Sequence, residues 1–342
     1  MNFRRLARGL PRIAASGAAV LFLAALAAAF LPMDVRYSAP DGRPPAGFVA
    51  AKAAVEQMIA AAPPTLSPKG RPRAFLHGEA TGQVFVLLHG LTNSPEQFDK
   101  LGRILFERGH NVVIPLTPGH GKADVMTDKL GDFTAQGMLD AANEAITLAR
   151  GLGRQLTVAG LSVNGATTAW VAQNRADVDR AVLLAPFFAP AGLPQWAGAP
   201  MGRMLVRAPN VFLWWDPYHR ADLPGPAHAY PRFSTKSIGE TMLLGANVLD
   251  ASIGSAPACG SILVVTTASD RAASNRITAQ LAANWRTSRP TAVAAYEFPA
   301  ADNVPHDFID PAQADQRVDF VYPKLIEMLE SGRPWAAPAS GG

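Results

Sequence analysis

Six short apolar runs alternate with helical stretches through most of the chain, and this alternation constrains the fold more than any other feature. The runs are QVFVLLHG (83–90), HNVVIPL (110–116), QLTVAG (155–160), RAVLLAPF (180–187), SILVVTTASD (261–270) and TAVAAYEF (291–298). Between them, SPEQFDKLGRILFERG reads as a helix, with Ser94 as its N-cap and Gly109 as its stop. FTAQGMLDAANEAITLARGLG reads as a long helix, and further helices follow residue 162, cover 272–286 and close the chain around 311–331. Strands alternating with helices imply parallel pairing and a sheet covered on both faces. RAFLH (73–77) and QVFVLLHG, joined by GEATG, read as a hairpin leading into a buried strand. With 342 residues, 49% apolar and 17% charged, the chain can supply the core of one large α/β domain with an insertion, or of two small domains.

The rhythm stops at Pro186. From there to about Pro257 prolines are frequent, no strand is expected, and large apolar residues gather, including Trp196, Trp214, Trp215 and Tyr218. The stretch reads as an insertion above the carboxyl edge of the sheet, where α/β folds bind ligands. The chain then divides into an N-terminal segment (1–31), a linker (32–46), a first core part (47–185), the insertion (186–257), a second core part (258–331) and a disordered tail (332–342). A helix is expected over 47–61, and no internal repeat is present.

The N-terminal segment carries Arg4, Arg5, Arg8 and Arg12 before any acid, then an uncharged apolar run from Ile13 to Leu31. As a helix this run would span roughly 28 Å, close to the hydrocarbon thickness of a bilayer. It reads either as a retained membrane anchor or as a cleaved signal with Ala27 and Ala29 at the cut site. Both place the main domain on the exported side: held at the membrane in the first case, secreted or periplasmic in the second. Those four arginines also account for the formal charge of +4, since without them basic and acidic residues number 27 each. A nucleic-acid partner is therefore not expected. The one cysteine, Cys259, excludes an internal disulfide and reads as a small core residue. The seven histidines are scattered, so no metal site and no cofactor is expected.

Chemistry concentrates at VAGLSVNGATTAW (158–170). It nearly matches the strand–turn–helix nucleophile elbow G-x-S-x-G, with Gly160 and Ser162 in register but Asn164 where the last glycine belongs. Gly165 follows, so the expectation is a working but adjusted elbow with the Asn164 side chain hydrogen-bonded nearby. A serine hydroxyl needs a base to take its proton, an acid to orient that base and donors for the developing oxyanion. Asp270 follows the run ILVVTT and His306 follows AAYEF, giving the order nucleophile, acid, base. Asp302 is the alternative acid, four residues before His306 in the same loop.

With VLLHGLTNSPEQF (86–98), TPGHGK (117–122), VAGLSVNG (158–165), TTASDRAAS (266–274) and NVPHDF (303–308) in order, the sequence resembles α/β-hydrolases of the monoacylglycerol-lipase and carboxylesterase type. The resemblance runs from about residue 73 to 331, interrupted by the insertion. It implies an α/β-hydrolase fold: a mostly parallel central sheet flanked by helices, with a lid over the site. It also implies Ser162, Asp270 and His306 as catalytic residues, with the backbone N–H groups of Leu91 and Val163 as the oxyanion hole. The expected activity is hydrolysis of carboxylic esters, with a small-molecule ester or lipid as partner and no cofactor. His89 is expected to order the oxyanion loop and His120 to be structural or pocket-lining, while His219 and His228 are candidates for substrate contact. Trp214 and Trp215 line an acyl pocket or form the insertion's own core. The alternatives are a peptidase, thioesterase or acyltransferase on the same residues, or a non-catalytic binder of hydrophobic ligands. The oligomeric state is not legible.

Overall fold

The computed structural model describes residues 26–38, 42–223 and 225–331. Most of the apolar run 13–31 and the whole tail 332–342 lie outside the described residues. Among the described residues no helix is long and apolar enough to cross a membrane. Helix α1 (Gly47–Ala60) precedes strands β1 (Arg73–Phe75) and β2 (Thr81–Leu88). Then come α2 (Asp99–Glu107), β3 (Asn111–Ile114), α3 (Ala135–Ala149), β4 (Gly153–Leu161), α4 (Val163–Asn174) and β5 (Arg180–Leu184). The next stretch holds α5 (Gly198–Arg207), β6 (Phe212–Trp214), β7 (Arg232–Ser234) and α6 (Thr235–Gly254). The chain closes with β8 (Ser261–Thr267), α7 (Asn275–Ser288), β9 (Val293–Phe298) and α8 (Val318–Glu330).

Seven strands form the central sheet in the order β1-β3-β2-β4-β5-β8-β9. All neighbouring pairs are parallel except β1–β3. The expected hairpin between β1 and β2 does not form: β1 pairs antiparallel with β3 at the sheet edge. The reason is occupancy, since β2 is already hydrogen-bonded on both sides, to β3 and to β4. Alternation within β2 shows how the sheet makes two cores. Val84, Val86 and Leu88 join the core built with α1, α3, α4, α6 and α7. Phe85 and Leu87 point the other way, into the core built with α2 and α8.

The helices begin and end as their sequences dictate. Thr134 caps α3 by accepting the Gly137 N–H, and Pro95 stands at the first position of the 3-10 turn that leads into α2. Gly109, at φ +91°, lets the chain leave α2 through a left-handed turn that a side chain would disfavour. The stretch 186–257, expected to lack strands, carries one antiparallel pair, β6–β7. It packs into the domain from both ends: Phe187, Phe188 and Tyr230, like Met242, Leu244 and Val248 of α6, are buried in the same core as α4. Cys259 is fully buried, and burial pushes its thiol up to about 12, so it is an inert core residue, as expected.

Candidate active site

The elbow follows from close packing. Ser162 takes φ +57°, ψ −116°, a backbone conformation sparsely populated by residues with a side chain. Its N–H donates to Leu184 O at 2.9 Å, and its C=O accepts from Gly165 and Phe187 at 2.8 and 2.9 Å. The chain thus turns from β4 into α4 with the serine held at the tip. Gly160 is needed because a Cβ there would overlap the Asn164 carbonyl and the Thr168 hydroxyl. Gly165 is needed because a Cβ there would lie 2.6 Å from Pro186 Cα. The position without room is therefore 165, one place later than the pattern predicts.

Asn164 has space because its side chain points away from that contact. It is buried, and its Nδ2 donates to His89 O at 2.6 Å and to Thr117 Oγ1 at 3.0 Å. It ties the nucleophile helix to the loops after β2 and β3. His89 reinforces the same junction. A backbone N–H can only donate, so the Thr117 amide fixes His89 Nε2 as acceptor at 3.1 Å and leaves Nδ1–H for Gly90 O at 3.0 Å. Burial, with His120 as a second cause, lowers the His89 imidazole to about 3, so the ring is neutral. His89 orders the loop and lies off the serine's hydrogen-bond chain, as expected.

Three of the residues singled out in the sequence meet at the carboxyl edge of the sheet. The Ser162 hydroxyl lies 2.9 Å from His306 Nε2, and His306 Nδ1 lies 2.7 Å from Asp270 Oδ2. A carboxylate accepts only, so Nδ1–H donates to Asp270, Nε2 is left as acceptor, and the serine hydroxyl donates to it. The Asp270 side chain is fully buried. Burial alone would raise its carboxyl; the His306 hydrogen bond and the Ala272 and Ala273 amides outweigh that and hold it below the usual carboxylate range. Among the described residues Asp302 makes no hydrogen bond to His306, whose Nδ1 is taken by Asp270.

Leu91 and Val163 both line the cavity that contains Ser162 and His306. Among the described residues neither backbone N–H has a hydrogen-bond partner, whereas the adjacent Gly90 N–H is taken by Gln97 Oε1 at 2.7 Å. Two unpaired amides beside a serine hydroxyl suit a developing negative charge.

The cavity holds about 670 Å³. Phe187, Pro190, Trp215, Tyr230, Phe233 and Ile238 give it an apolar wall, so Trp215 is pocket-lining while Trp214 packs beneath Arg220. His219 is exposed and paired with Asp216, and His120 is buried against His89, off the cavity.

Two connections between the insertion and the site carry no sequence signal, because the partners lie far apart in the chain. Trp215 Nε1 donates to Thr92 Oγ1 at 2.9 Å, and Tyr230 N donates to Thr92 O at 2.7 Å. His228 contacts the buried Asp310 carboxylate at 2.8 Å, which also accepts from Asn93 at 3.1 Å. Asp310 lies four residues after His306, so the insertion is fastened both to the oxyanion loop and to the loop of the base. His228, a candidate for substrate contact, is used in this fastening and is not among the cavity-lining residues.

Comparison with curated protein sequences finds no match. Among solved structures, a monoacylglycerol lipase from Paleococcus ferrophilus is 19% identical, with 76% of this chain and 98% of that one aligned at a TM-score of 0.56. A soluble variant of the monoglyceride lipase from Saccharomyces cerevisiae, solved with a substrate analogue, is 13% identical over 77% and 92%, also at 0.56. Est1E from Butyrivibrio proteoclasticus, solved with ferulic acid, is 15% identical over 77% and 95%, at 0.52. At these identities the likeness is one of fold. The family model described as serine aminopeptidase, S33, matches residues 79–300, well over half of the chain and all the strands from β4 to β9. The protein belongs to this family of α/β-hydrolases.

Proposed function

We propose that the protein is a serine hydrolase that cleaves carboxylic esters through an acyl-enzyme on Ser162. The reading rests on one observation above all: the chain of hydrogen bonds Ser162–His306–Asp270 at 2.9 and 2.7 Å. In this reading His306 takes the hydroxyl proton as Ser162 attacks the ester carbonyl, and the Leu91 and Val163 amides receive the oxyanion. His306 then returns the proton to the leaving alcohol. Water, activated in turn by His306, releases the acid. Asp270 keeps the imidazole in the tautomer that presents Nε2 to the serine. The apolar wall favours a hydrophobic acyl chain, as in a lipid ester.

The alternative of an amine-recognising peptidase finds less support in the cavity. Of the acids that line it, Asp307 already accepts from Gln97 and Gln313 at 2.8 Å, with burial and Asp310 raising its carboxyl, and Asp216 is paired with His219. We further propose that residues 13–31 hold the chain at a membrane with the hydrolase domain on the exported side.

A fluorophosphonate probe tests the chemistry. Labelling of the full chain and none of Ser162→Ala is the expected result; equal labelling of both sinks the proposal. An acyl-chain series of p-nitrophenyl esters tests the lipid preference, which activity confined to acetate and butyrate would contradict.

A further inference from the structure

The insertion exposes an unusual number of large apolar side chains. Trp196, Val211, Leu213, Trp215, Tyr218 and Leu223 are 46–91% exposed, all within 28 consecutive residues. Period-two geometry places Val211, Leu213 and Trp215 on one face of the β6 strand. That face also carries the cavity-lining Phe233, paired with Leu213 in the β6–β7 register and packed at a tilt against Trp215 with ring centroids 4.2 Å apart. The apolar face is therefore continuous with the mouth of the cavity. Exposed apolar residues gathered in so short a stretch, with Trp and Tyr among them, suit a surface that meets another apolar phase.

The structure also indicates which phase. Residues 26–30 are helical, and they are the last part of the uncharged run 13–31. The carbonyls at the end of this helix are held by two arginines of α5. Arg203 Nη1 donates to Ala29 O at 3.1 Å. Arg207 donates to Ala28 O at 2.7 Å, Leu31 O at 3.0 Å and Pro32 O at 2.9 Å. Cationic side chains on the last carbonyls of a helix satisfy acceptors that would otherwise have no partner and complement the dipole. Arg207 stands four residues before Val211, so the end of the apolar run is clamped beside the apolar face.

We infer that the face of the insertion formed by residues 196–223 lies on the lipid bilayer that holds the N-terminal segment, with Arg203 and Arg207 fixing the orientation. The inference rests on the membrane anchoring proposed above and adds to it a defined face. The cavity mouth at Trp215 then opens onto the bilayer, and a lipid ester enters without crossing water. The clamp sets the pose: an anchor on a free linker would let the domain tumble, whereas one gripped at its last turn by α5 keeps the insertion facing the membrane.

Cys259 is fully buried, so one introduced cysteine can carry an environment-sensitive NBD fluorophore. The full chain is reconstituted in phosphatidylcholine vesicles as Trp196→Cys, Tyr218→Cys or, at the opposite edge of the sheet, Glu79→Cys. Doxyl-labelled phosphatidylcholine should quench the fluorophore at 196 and 218 and leave 79 unaffected. Adding Arg203→Gln and Arg207→Gln to Tyr218→Cys should abolish the quenching while the chain still floats with the vesicles. The inference is overturned by a chain that does not float, or by equal quenching at all three sites. It is also overturned by 218 quenched as before in the double arginine variant. Emission at labelled 218 that ignores doxyl lipid, together with 218–218 disulfides formed on oxidation of the unlabelled Tyr218→Cys chain, assigns the face to a second copy and overturns it as well. Fluorophosphonate labelling of the same samples separates the two readings. A labelled but unquenched chain refutes the docking alone, and a quenched but unlabelled chain refutes the hydrolase alone.

Discussion

Replacing Asn164 by glycine would restore the usual G-x-S-x-G pattern, and the structure predicts that this apparent repair damages the protein. The side chain supplies two buried hydrogen bonds, to His89 O at 2.6 Å and to Thr117 Oγ1 at 3.0 Å. Each such bond contributes about 1 kcal/mol net, and a buried carbonyl left without its donor costs about 1–3 kcal/mol. A glycine in the first turn of α4 adds a further few tenths of a kcal/mol. The expected loss is about 3 kcal/mol, which moves the urea midpoint down by roughly 1 M if the unfolding slope is ~3 kcal/mol/M. Activity should fall too, because the His89 carbonyl and the Leu91 amide belong to adjacent peptide units of one loop. Full removal of an oxyanion donor costs about 100- to 1000-fold, so a loosened one should lower kcat about tenfold. The assays are urea unfolding followed by fluorescence and kcat on a short p-nitrophenyl ester. Asn164→Asp keeps the shape but turns an acceptor toward the His89 carbonyl, and should be at least as destabilising at neutral pH. A glycine variant within ~0.5 kcal/mol of the parent, a change typical of an inconsequential surface site, would refute the reasoning.

Three other outcomes follow from the same geometry. Gly165→Ala places a Cβ 2.6 Å from Pro186 Cα, backbone against backbone, and should cost about 1–3 kcal/mol in thermal unfolding while Ala166→Gly stays near 1. His228→Asn removes a buried hydrogen-bond partner of the Asp310 carboxylate, which is 1% exposed and keeps only the Asn93 and Ala312 donors; a loss of about 1–3 kcal/mol is expected by urea unfolding at pH 7. Acid should weaken the fold early. Burial lowers His89 to about 3 and His120 to about 4, from an unfolded value near 6.5. Their contribution is complete above about pH 6.5 and declines as the unfolded chain takes up protons, by about 2 kcal/mol each at pH 5. The raised Asp307 carboxyl works in the opposite sense, favouring the fold at low pH and losing that contribution as pH rises through its folded value. Urea midpoints measured between pH 7 and pH 5 check the net fall, which His89→Asn should reduce.

The fold and the site were legible to different depths. Apolar runs such as VFVLL and ILVVTT announced their strands because a strand buried on both faces has no polar side to obscure it. The three candidate site residues were legible because each sits at the end of such a run or in the loop that follows it, and parallel pairing carries all those ends to one edge. What lay between strands far apart in sequence was not. β1 reads as the first arm of a hairpin until the sheet order shows β2 occupied on both sides. Likewise nothing in HDFID predicts that Asp310 will meet His228, or that Thr92 will accept from Trp215, since these contacts depend on how the insertion folds back over the core. Asn164 reads as an adjusted elbow with its side chain hydrogen-bonded nearby, as the structure has it, but a motif records only which positions are small, and packing alone shows that the crowded place is 165.

The turn at Ser162 has a consequence for how long such a protein keeps its chemistry. At φ +57°, ψ −116° the serine occupies a region that glycine enters freely and other residues enter at a cost of about 1–3 kcal/mol. Ser162→Gly should therefore yield a catalytically silent chain that outlasts the parent under heat. Stability and chemistry pull in opposite directions at this one position. A lineage released from the need to hydrolyse would gain from the change to glycine at once, by a single step. The serine is an expensive residue to hold there, and on the proposed reading the strain is the cost of presenting a nucleophile.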